Sequence, residues 1–142
     1  EDARNLGASV AIGGHRHPSG PCSYEPTVLT DVTDSMKVFH EETFGPIAPL
    51  LRFSTEDEAV DMANRTVFGL ASYAFTQDLG RAFRLSRKLE FGIIGMNTGI
   101  ISAAEAPFGG INQSGLGREG GHEGIEDYLE TIYVRMSGLH QS

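Results

Sequence analysis

The sequence is short of three things: cysteine, long apolar runs and clustered positive charge. Cys22 is the only cysteine among 142 residues, so no internal disulfide can form, and we expect a reducing, cytoplasmic location. No apolar run approaches the roughly 20 residues that a membrane-spanning helix needs, so no membrane partner is expected. The net charge is −8 and the 11 lysines and arginines are scattered, which argues against nucleic acid as a partner.

What the sequence does contain is the alternation of an α/β fold. The segments "IAPLLRF", "LASYAF" and "GIIGMN" predict buried strands. A capping box, Thr55-x-x-Glu58, opens one amphipathic helix between them, and residues 78–89 form the next. This alternation indicates right-handed crossovers in a parallel sheet. Ligands of such sheets lie beyond the carboxyl ends of the strands, which makes the loop after Asn97 and the turn around Glu41 candidate sites.

The two ends of the chain have their own signals. Near the start, "ASVAIGG" and "TVLTDV" predict strands, Gly7 occupies a helix C-cap position, and Asp34 is the expected N-cap of a short helix. Near the end, residues 130–136 alternate strictly between apolar and polar side chains, which predicts a strand with one buried face. A terminal strand of this kind often finds its partner on another chain.

Two patterns carry weak signals. Gly115–Gly120 matches G-x-G-x-x-G, but a phosphate-binding loop needs a strand directly before it, and a loop precedes this one. A turn before a helix is the favoured interpretation. His15, His17 and Cys22 do not have a standard zinc spacing and lack a fourth ligand, so surface residues and no metal are expected. Cys22 also lacks a nearby base that would activate it as a nucleophile.

The stretch "EETFGP", Glu41–Pro46, suggests more specific chemistry. A carboxylate can accept hydrogen bonds from two vicinal hydroxyls, and an aromatic ring two residues later can support a flat heterocycle. Together they could hold a ribose and its base. The alternative, an acid pair in solvent beside a core phenylalanine, is favoured by the residues alone. The segment "NTGIISAAEAPFGG", Asn97–Gly110, is a long loop after a strand, and such loops are often functional.

Three segments resemble one family in the same order along the chain. They are "PTVLTDVTDSMKVFHEETFGPIAPLLRF", "ANRTVFGLASYAFTQDLGRAFRLSRKLEFGIIGMNTG" and "APFGGINQSGLGREGG". They are similar to the C-terminal part of the NAD(P)-dependent aldehyde dehydrogenases, and "NTGIISAAEAPFGG" with "GIEDYLETIYV" resembles the succinate-semialdehyde subgroup. The resemblance implies an α/β fold with a parallel Rossmann-like sheet and crossover helices. It also implies NAD or NADP as the cofactor and oxidation of an aldehyde, with succinate semialdehyde as the expected substrate.

The resemblance also implies roles for single residues. Glu42 would bind the hydroxyls of the nicotinamide ribose, and Phe44 would pack at the nicotinamide. Phe108 would line the aldehyde tunnel, and Ser102 matches a serine that helps to hold the carboxylate of succinate semialdehyde. Glu119 matches a glutamate near the active site whose role is less defined.

The family's nucleophilic cysteine and its glutamate base belong to segments before Glu1, so none of the present residues is expected to be catalytic. In the family pattern, Cys22 occupies the position of a loop residue before "YEPT". Asn112 replaces a lysine that the family often has after "FGG-x". Residues 1–124 would be the C-terminal part of the catalytic domain, and residues 125–142 an oligomerisation arm of a homo-oligomer. Two alternatives stay open: a non-catalytic oligomerising module, and a nucleotide-binding protein built on the Gly115 loop.

Overall fold

The computed structural model describes residues 1–139. The chain forms two compact units, one over Glu1–Val67 and one from Phe68 onward. Among the described residues, no helix is long and apolar enough to cross a membrane. The sequence predicts a boundary between residues 124 and 125, where a catalytic-domain segment would end and an oligomerisation arm would begin. The two compact units do not test this boundary, which stays a prediction.

The first unit has three strands and three helices. The elements are α1 (Asp2–Asn5), β1 (Ser9–Ile12), β2 (Thr27–Thr30), α2 (Lys37–His40), β3 (Ile47–Pro49) and α3 (Glu56–Asn64). The strands form one sheet in the order β1-β2-β3. β1 runs antiparallel to β2, whereas β2 and β3 are parallel, with Val28 opposite Ala48. The α/β class and the parallel sheet segments are therefore confirmed, and the antiparallel β1 was not predicted.

A small apolar core holds this unit together. Its buried members are Ala3, Ala8, Leu29, Val32 and Met36, with Met36 only 1% exposed. Val38 and Ile47 pack against that cluster from the two elements that flank the "EETFGP" turn. The turn therefore connects α2 to β3, and the elements at both of its ends pack against the same core.

Local signals at helix ends are mostly confirmed. Gly7 follows α1 with φ 103°, a left-handed conformation that glycine adopts without steric cost. At α3, Thr55 Oγ1 accepts a hydrogen bond of 3.1 Å from the Glu58 N–H, as the capping box predicts. Asp34 as the N-cap of α2 is wrong, because Met36 enters the core and directly precedes the helix, while the Asp34 carboxylate pairs with Arg65.

The second unit contains one parallel strand pair. Its elements are β4 (Ala71–Ala74), α4 (Leu79–Lys88), β5 (Ile93–Met96), a 3-10 helix (Asn112–Ser114) and α5 (Glu123–Glu126). β4 and β5 pair in parallel with α4 as the crossover, as predicted. Asp78 caps α4 by accepting a bond of 3.0 Å from the Arg81 N–H, and this bond lowers the pKa of the Asp78 carboxyl below its ordinary value.

The strands do not form one continuous sheet, because β3 and β4 belong to different sheets. The predicted buried strand "IAPLLRF" is paired only over Ile47–Pro49. Just beyond it, the Leu50 N–H still donates to the Leu29 carbonyl at 2.8 Å, so backbone bonding to β2 ends at Leu50. Leu50 and Phe53, which were expected to be buried, are exposed.

The strand predicted over residues 130–136 is also absent from the described chain. These residues form neither a helix nor a strand, and Ile132 is 81% exposed, with Val134 and Met136 exposed as well. A strand exists only where a neighbouring backbone completes its hydrogen bonds, and none of residues 1–139 does so for this segment. Pairing with another chain stays a prediction.

Close backbone packing makes Gly92 sensitive to substitution. A Cβ atom at Gly92 would overlap the carbonyl oxygen of Gly109 and lie 2.9 Å from the Cα atom of Gly110. Because these are backbone atoms, relief requires the "PFGG" segment to move. We expect Gly92→Ala to lower the free energy of unfolding by about 2 kcal/mol.

The midpoint of denaturation of the purified protein measures this effect. Gly99→Ala is the matched control, since a Cβ at Gly99 would meet no atom within 4 Å. Equal midpoints for Gly92→Ala and Gly99→Ala would show that the close packing against Gly109 is not required.

Candidate functional site

The "EETFGP" turn lines a cavity of about 390 Å³ in the first unit. Its lining includes Glu41, Glu42, Thr43, Phe44 and Gly45 from the turn, and Leu29, Lys37, Val38 and Ile47 around them. The turn begins where the Glu41 N–H donates to the Lys37 carbonyl at 2.8 Å, ending α2. It ends where the Thr27 N–H donates to the Pro46 carbonyl at 2.8 Å.

The position of this turn in the sheet differs from the prediction. The turn precedes β3 and therefore lies at the amino ends of the parallel pair β2 and β3. The prediction that the turn lies at the carboxyl ends of the strands is therefore wrong. The loop after Asn97, in contrast, does lie directly after the carboxyl end of β5. The case for the turn therefore depends on its own side chains.

Those side chains are exposed and are not part of the core. Phe44 is 97% exposed, which excludes the alternative of a core phenylalanine beside a solvated acid pair. Glu42 is exposed, and its carboxylate makes no hydrogen bond to any of residues 1–139. A carboxylate with free acceptor positions and an uncovered ring thus border one cavity. These groups fit a ribose with its attached base.

A second cavity, of about 410 Å³, lies in the second unit. It brings together Ser102, Phe108 and Glu119, which the resemblance had singled out, and its remaining lining residues are Ala103, Ala104, Ala106 and Gly120. Phe108 and Glu119 exchange two backbone hydrogen bonds of 2.7 Å in an isolated antiparallel bridge. The bridge fixes the spacing between the Phe108 ring and the Glu119 carboxylate.

The chemistry of this cavity is that of a small, partly apolar site. Three alanines and Phe108 supply apolar surface, and the exposed Ser102 hydroxyl makes no hydrogen bond to any of residues 1–139. Glu119 is the one charged residue among the described lining residues. Ser102 can donate one hydrogen bond to an anionic ligand, and any cation that pairs with such a ligand comes from outside this lining.

A third cavity, of about 600 Å³, surrounds the Gly115 loop. A 3-10 helix, not a strand, precedes the loop, and α5 follows it. The Asp127 carboxylate accepts a hydrogen bond of 3.3 Å from the Arg118 N–H, so this loop N–H already has an acidic partner within the chain. The phosphate-loop alternative is therefore wrong, and the turn before a helix is confirmed.

Arg118 is a structural residue that the sequence did not reveal. Its Nη1 atom donates to the Gly110 carbonyl at 2.7 Å and to the Gly117 carbonyl at 2.8 Å. These two carbonyls lie close in sequence to Phe108 and Glu119, the two residues of the isolated bridge. An arginine next to a glycine-rich turn was the available signal, but its carbonyl partners depend on the tertiary fold.

The histidine loop shows no metal-binding arrangement. His17 Nδ1 lies 2.7 Å from Ser19 Oγ, and Cys22 is exposed. Within residues 1–139 there is no group of three or more His, Cys, Asp or Glu side chains that could hold a metal ion.

The described residues thus form an α/β chain with an acid-and-aromatic turn beside one cavity and an exposed serine beside another. Residues 1–134 match the aldehyde dehydrogenase family, and the chain belongs to that family.

Known members share high identity with this chain. The 3-sulfolactaldehyde dehydrogenase of Pseudomonas putida is 59% identical over 97% of this chain and 28% of that protein. The crystal structure of succinate-semialdehyde dehydrogenase from Burkholderia pseudomallei matches with a TM-score of 0.87 and 57% identity, covering 89% of this chain and 26% of that one. Betaine aldehyde dehydrogenase from Staphylococcus aureus, in complex with NAD+, matches with a TM-score of 0.84 and 42% identity over 91% and 26% of the two chains. This chain thus spans little more than a quarter of their length.

Proposed function

We propose that this chain forms part of an enzyme that oxidises an aldehyde with a negatively charged far end to the acid, using NAD or NADP. Succinate semialdehyde is the first candidate substrate. The observation that carries the proposal is the cavity that brings Ser102, Phe108 and Glu119 together. It combines a free hydroxyl donor with apolar walls, which suits a short aldehyde whose far end accepts a hydrogen bond.

The relatives support the charge of the substrate. The two named for succinate semialdehyde and 3-sulfolactaldehyde share 57% and 59% identity with this chain, and both compounds carry an acidic group. The relative named for betaine aldehyde, a cationic compound, shares 42%. The chain is thus more similar in sequence to the relatives named for anionic aldehydes than to the relative named for a cationic one, which favours an anionic substrate.

The turn in the first unit is the proposed cofactor contact. Bound NAD or NADP would supply the acceptor for the hydride that leaves the aldehyde carbon. The two oxygens of Glu42 would accept hydrogen bonds from the ribose hydroxyls, and the exposed Phe44 ring would pack against the nicotinamide. The free carboxylate and uncovered ring at this cavity fit that role.

The covalent step would use groups from the rest of the longer polypeptide. Cys22, the single cysteine of the sequence, lies exposed in the histidine loop. A cysteine nucleophile needs a base and an adjoining substrate site. A single cysteine also agrees with the proposed cytoplasmic location.

An oligomerising role is the second candidate. Residues 128–139 expose Tyr128, Leu129, Ile132, Tyr133, Val134, Met136 and Leu139. Apolar side chains at alternating positions of an unpaired segment favour strand addition to a second copy. The two roles are compatible, and we propose a homo-oligomeric enzyme.

A comparison of substrates tests the proposed activity. The intact enzyme, meaning the longer polypeptide that contains this chain, is assayed with succinate semialdehyde, 3-sulfolactaldehyde, butanal and betaine aldehyde. We expect kcat/KM for one of the anionic aldehydes to exceed that for butanal by about tenfold or more, with betaine aldehyde the poorest. Equal values for butanal and both anionic aldehydes would refute the substrate class.

Removal of the Ser102 hydroxyl should weaken binding of the anionic end. A hydrogen bond to a charged group contributes about 1.5–3 kcal/mol, so Ser102→Ala should raise KM for succinate semialdehyde at least about tenfold. KM for butanal should change little, because butanal has no group to accept that bond. Ser86→Ala is the control, since Ser86 is an exposed serine on α4. Equal effects on the two substrates would remove Ser102 from the proposed site.

A further inference from the structure

Asn97 directly follows β5 and has an unusual backbone conformation and three hydrogen bonds to the end of β4 and the segment after it. Its φ angle is 55°, in the left-handed region, so the chain turns out of the sheet at this residue. Its N–H still donates to the Ala74 carbonyl at 2.8 Å. Its side chain then makes two further bonds of 2.8 Å to Thr76: Oδ1 accepts from the Thr76 N–H, and Nδ2 donates to the Thr76 carbonyl.

In these two bonds a side chain takes the place of the backbone pairing between β4 and β5. β4 and β5 pair in parallel up to Ala74 and Met96. The Asn97 side-chain amide then bonds the N–H and the C=O of Thr76, two residues beyond the end of β4. The backbone of Asn97 has by then turned away from the strand pair. Asparagine tolerates a left-handed φ, and its side-chain amide contains both a donor group and an acceptor group, and both properties are used here.

The turn determines where the serine-bearing loop starts. After Asn97 the chain folds back over β5, since a Cβ added to Gly95 would lie 2.9 Å from Ile101 Cγ2 and 3.1 Å from the Thr98 carbonyl oxygen. The Thr98 hydroxyl closes a local turn by accepting from the Ile100 N–H at 3.1 Å. Ser102 follows one residue after Ile101.

The other end of this loop is fixed separately. The Ala104 carbonyl accepts a bond of 3.0 Å from the Gly121 N–H, and the Phe108–Glu119 bridge follows. The loop over residues 98–106 is therefore attached at both ends, and on the β5 side the Asn97 side-chain amide adds two bonds to the one that its backbone N–H makes with Ala74. Loss of that attachment would leave the Ser102 hydroxyl free to leave the cavity while the Phe108 wall stays in place.

We propose that Asn97 is a positioning residue that determines substrate specificity by holding the loop over residues 98–106 so that Ser102 faces the cavity. The inference rests on the proposed function, because it assigns Asn97 a part in recognition of the anionic end of the aldehyde. Asn97 touches neither substrate nor cofactor in this role and acts through Ser102.

Two substitutions separate the side-chain bonds from the backbone conformation. Asn97→Gly keeps access to the left-handed φ and removes both bonds to Thr76. Asn97→Asp keeps an acceptor for the Thr76 N–H and loses the donor to the Thr76 carbonyl. Asn112→Gly is the matched control, because Asn112 has φ 56° and its side chain makes no hydrogen bond within the described residues.

The kinetic test uses the intact enzyme with succinate semialdehyde and butanal. We expect Asn97→Gly to raise KM for succinate semialdehyde about tenfold, from the loss of two hydrogen bonds, with a smaller rise for Asn97→Asp. KM for butanal, KM for NAD and kcat should stay within about twofold, and Asn112→Gly should behave as wild type. An unchanged KM for succinate semialdehyde, or equal rises for both aldehydes, overturns the specificity role.

Hydrogen exchange supplies a readout that does not depend on the substrate. In Asn97→Gly the amides of Thr76, Ile100 and Ala106 should exchange about tenfold faster, while those of β4 stay unchanged. Wild-type exchange at these amides overturns the positioning role, whatever the kinetics show. A wild-type enzyme without preference for anionic aldehydes contradicts the proposed function instead, and faster exchange in Asn97→Gly would still support the loop attachment.

Discussion

Residues 1–142 expressed alone are expected to show no steady oxidation of any aldehyde, against full turnover by the intact enzyme. A thioester route needs a thiolate beside the aldehyde carbon. Cys22 is exposed in the loop that carries His15 and His17, and the sequence gives it no suitably spaced base to activate it. Nicotinamide absorbance with excess aldehyde measures this turnover. Steady turnover that a Cys22→Ser change abolishes would contradict the proposal that the nucleophile lies elsewhere in the polypeptide.

The same isolated chain is expected to self-associate. Phe44 and Leu116 are each 97% exposed, and the segment over residues 128–139 exposes a further row of apolar side chains. Large apolar side chains exposed in such numbers favour association with another chain. Light scattering at increasing concentration should report a mass above that of one chain. A monodisperse monomer at high concentration would count against the oligomerisation arm.

Glu42→Gln in the intact enzyme is expected to slow hydride transfer by about ten- to a hundredfold. Glutamine has the same shape but replaces a charged acceptor by a neutral one, and a hydrogen bond to a charged group contributes about 1.5–3 kcal/mol. The ribose hydroxyls would then hold the nicotinamide less firmly in the position from which it accepts the hydride. Pre-steady-state reduction of the nicotinamide is the measurement.

Glu41→Gln is the matched control for this change. Glu41 is the neighbouring carboxylate and lines the same cavity, and its backbone N–H already ends α2. It should leave the transfer rate within about twofold of wild type. If Glu42→Gln changes neither the rate nor the affinity for the cofactor, Glu42 does not hold the ribose.

The parts of the fold that depend on neighbouring residues were predictable from the sequence. The cap at Thr55, the helix that α4 forms within residues 78–89 and the crossover between β4 and β5 were predicted from local sequence patterns. Asp34 failed as a cap because its partner, Arg65, is 31 positions away. The strand over residues 130–136 failed because alternation shows which face is apolar and supplies no partner backbone.

The residues of the candidate site also divide into those that sequence motifs identified and one whose role depends on a partner distant in sequence. The motifs identified Glu42, Phe44, Ser102 and Phe108, and the structure places each pair at a cavity of its own. The role of Asn97 depends on Thr76, which is 21 positions earlier. Nothing in the spacing of the sequence marks such a partner, because a single asparagine after a strand most often serves a turn alone.

Formation of succinate together with reduced nicotinamide by the intact enzyme tests the central claim most directly. Succinate semialdehyde and NAD, or NADP in a parallel reaction, are supplied in excess, and both products are quantified over time. We predict equal amounts of succinate and reduced nicotinamide, with the rate reduced by Glu42→Gln and KM raised by Ser102→Ala. Failure to reduce either cofactor with succinate semialdehyde or 3-sulfolactaldehyde, while butanal is oxidised, would contradict the claim that this chain belongs to an enzyme for anionic aldehydes.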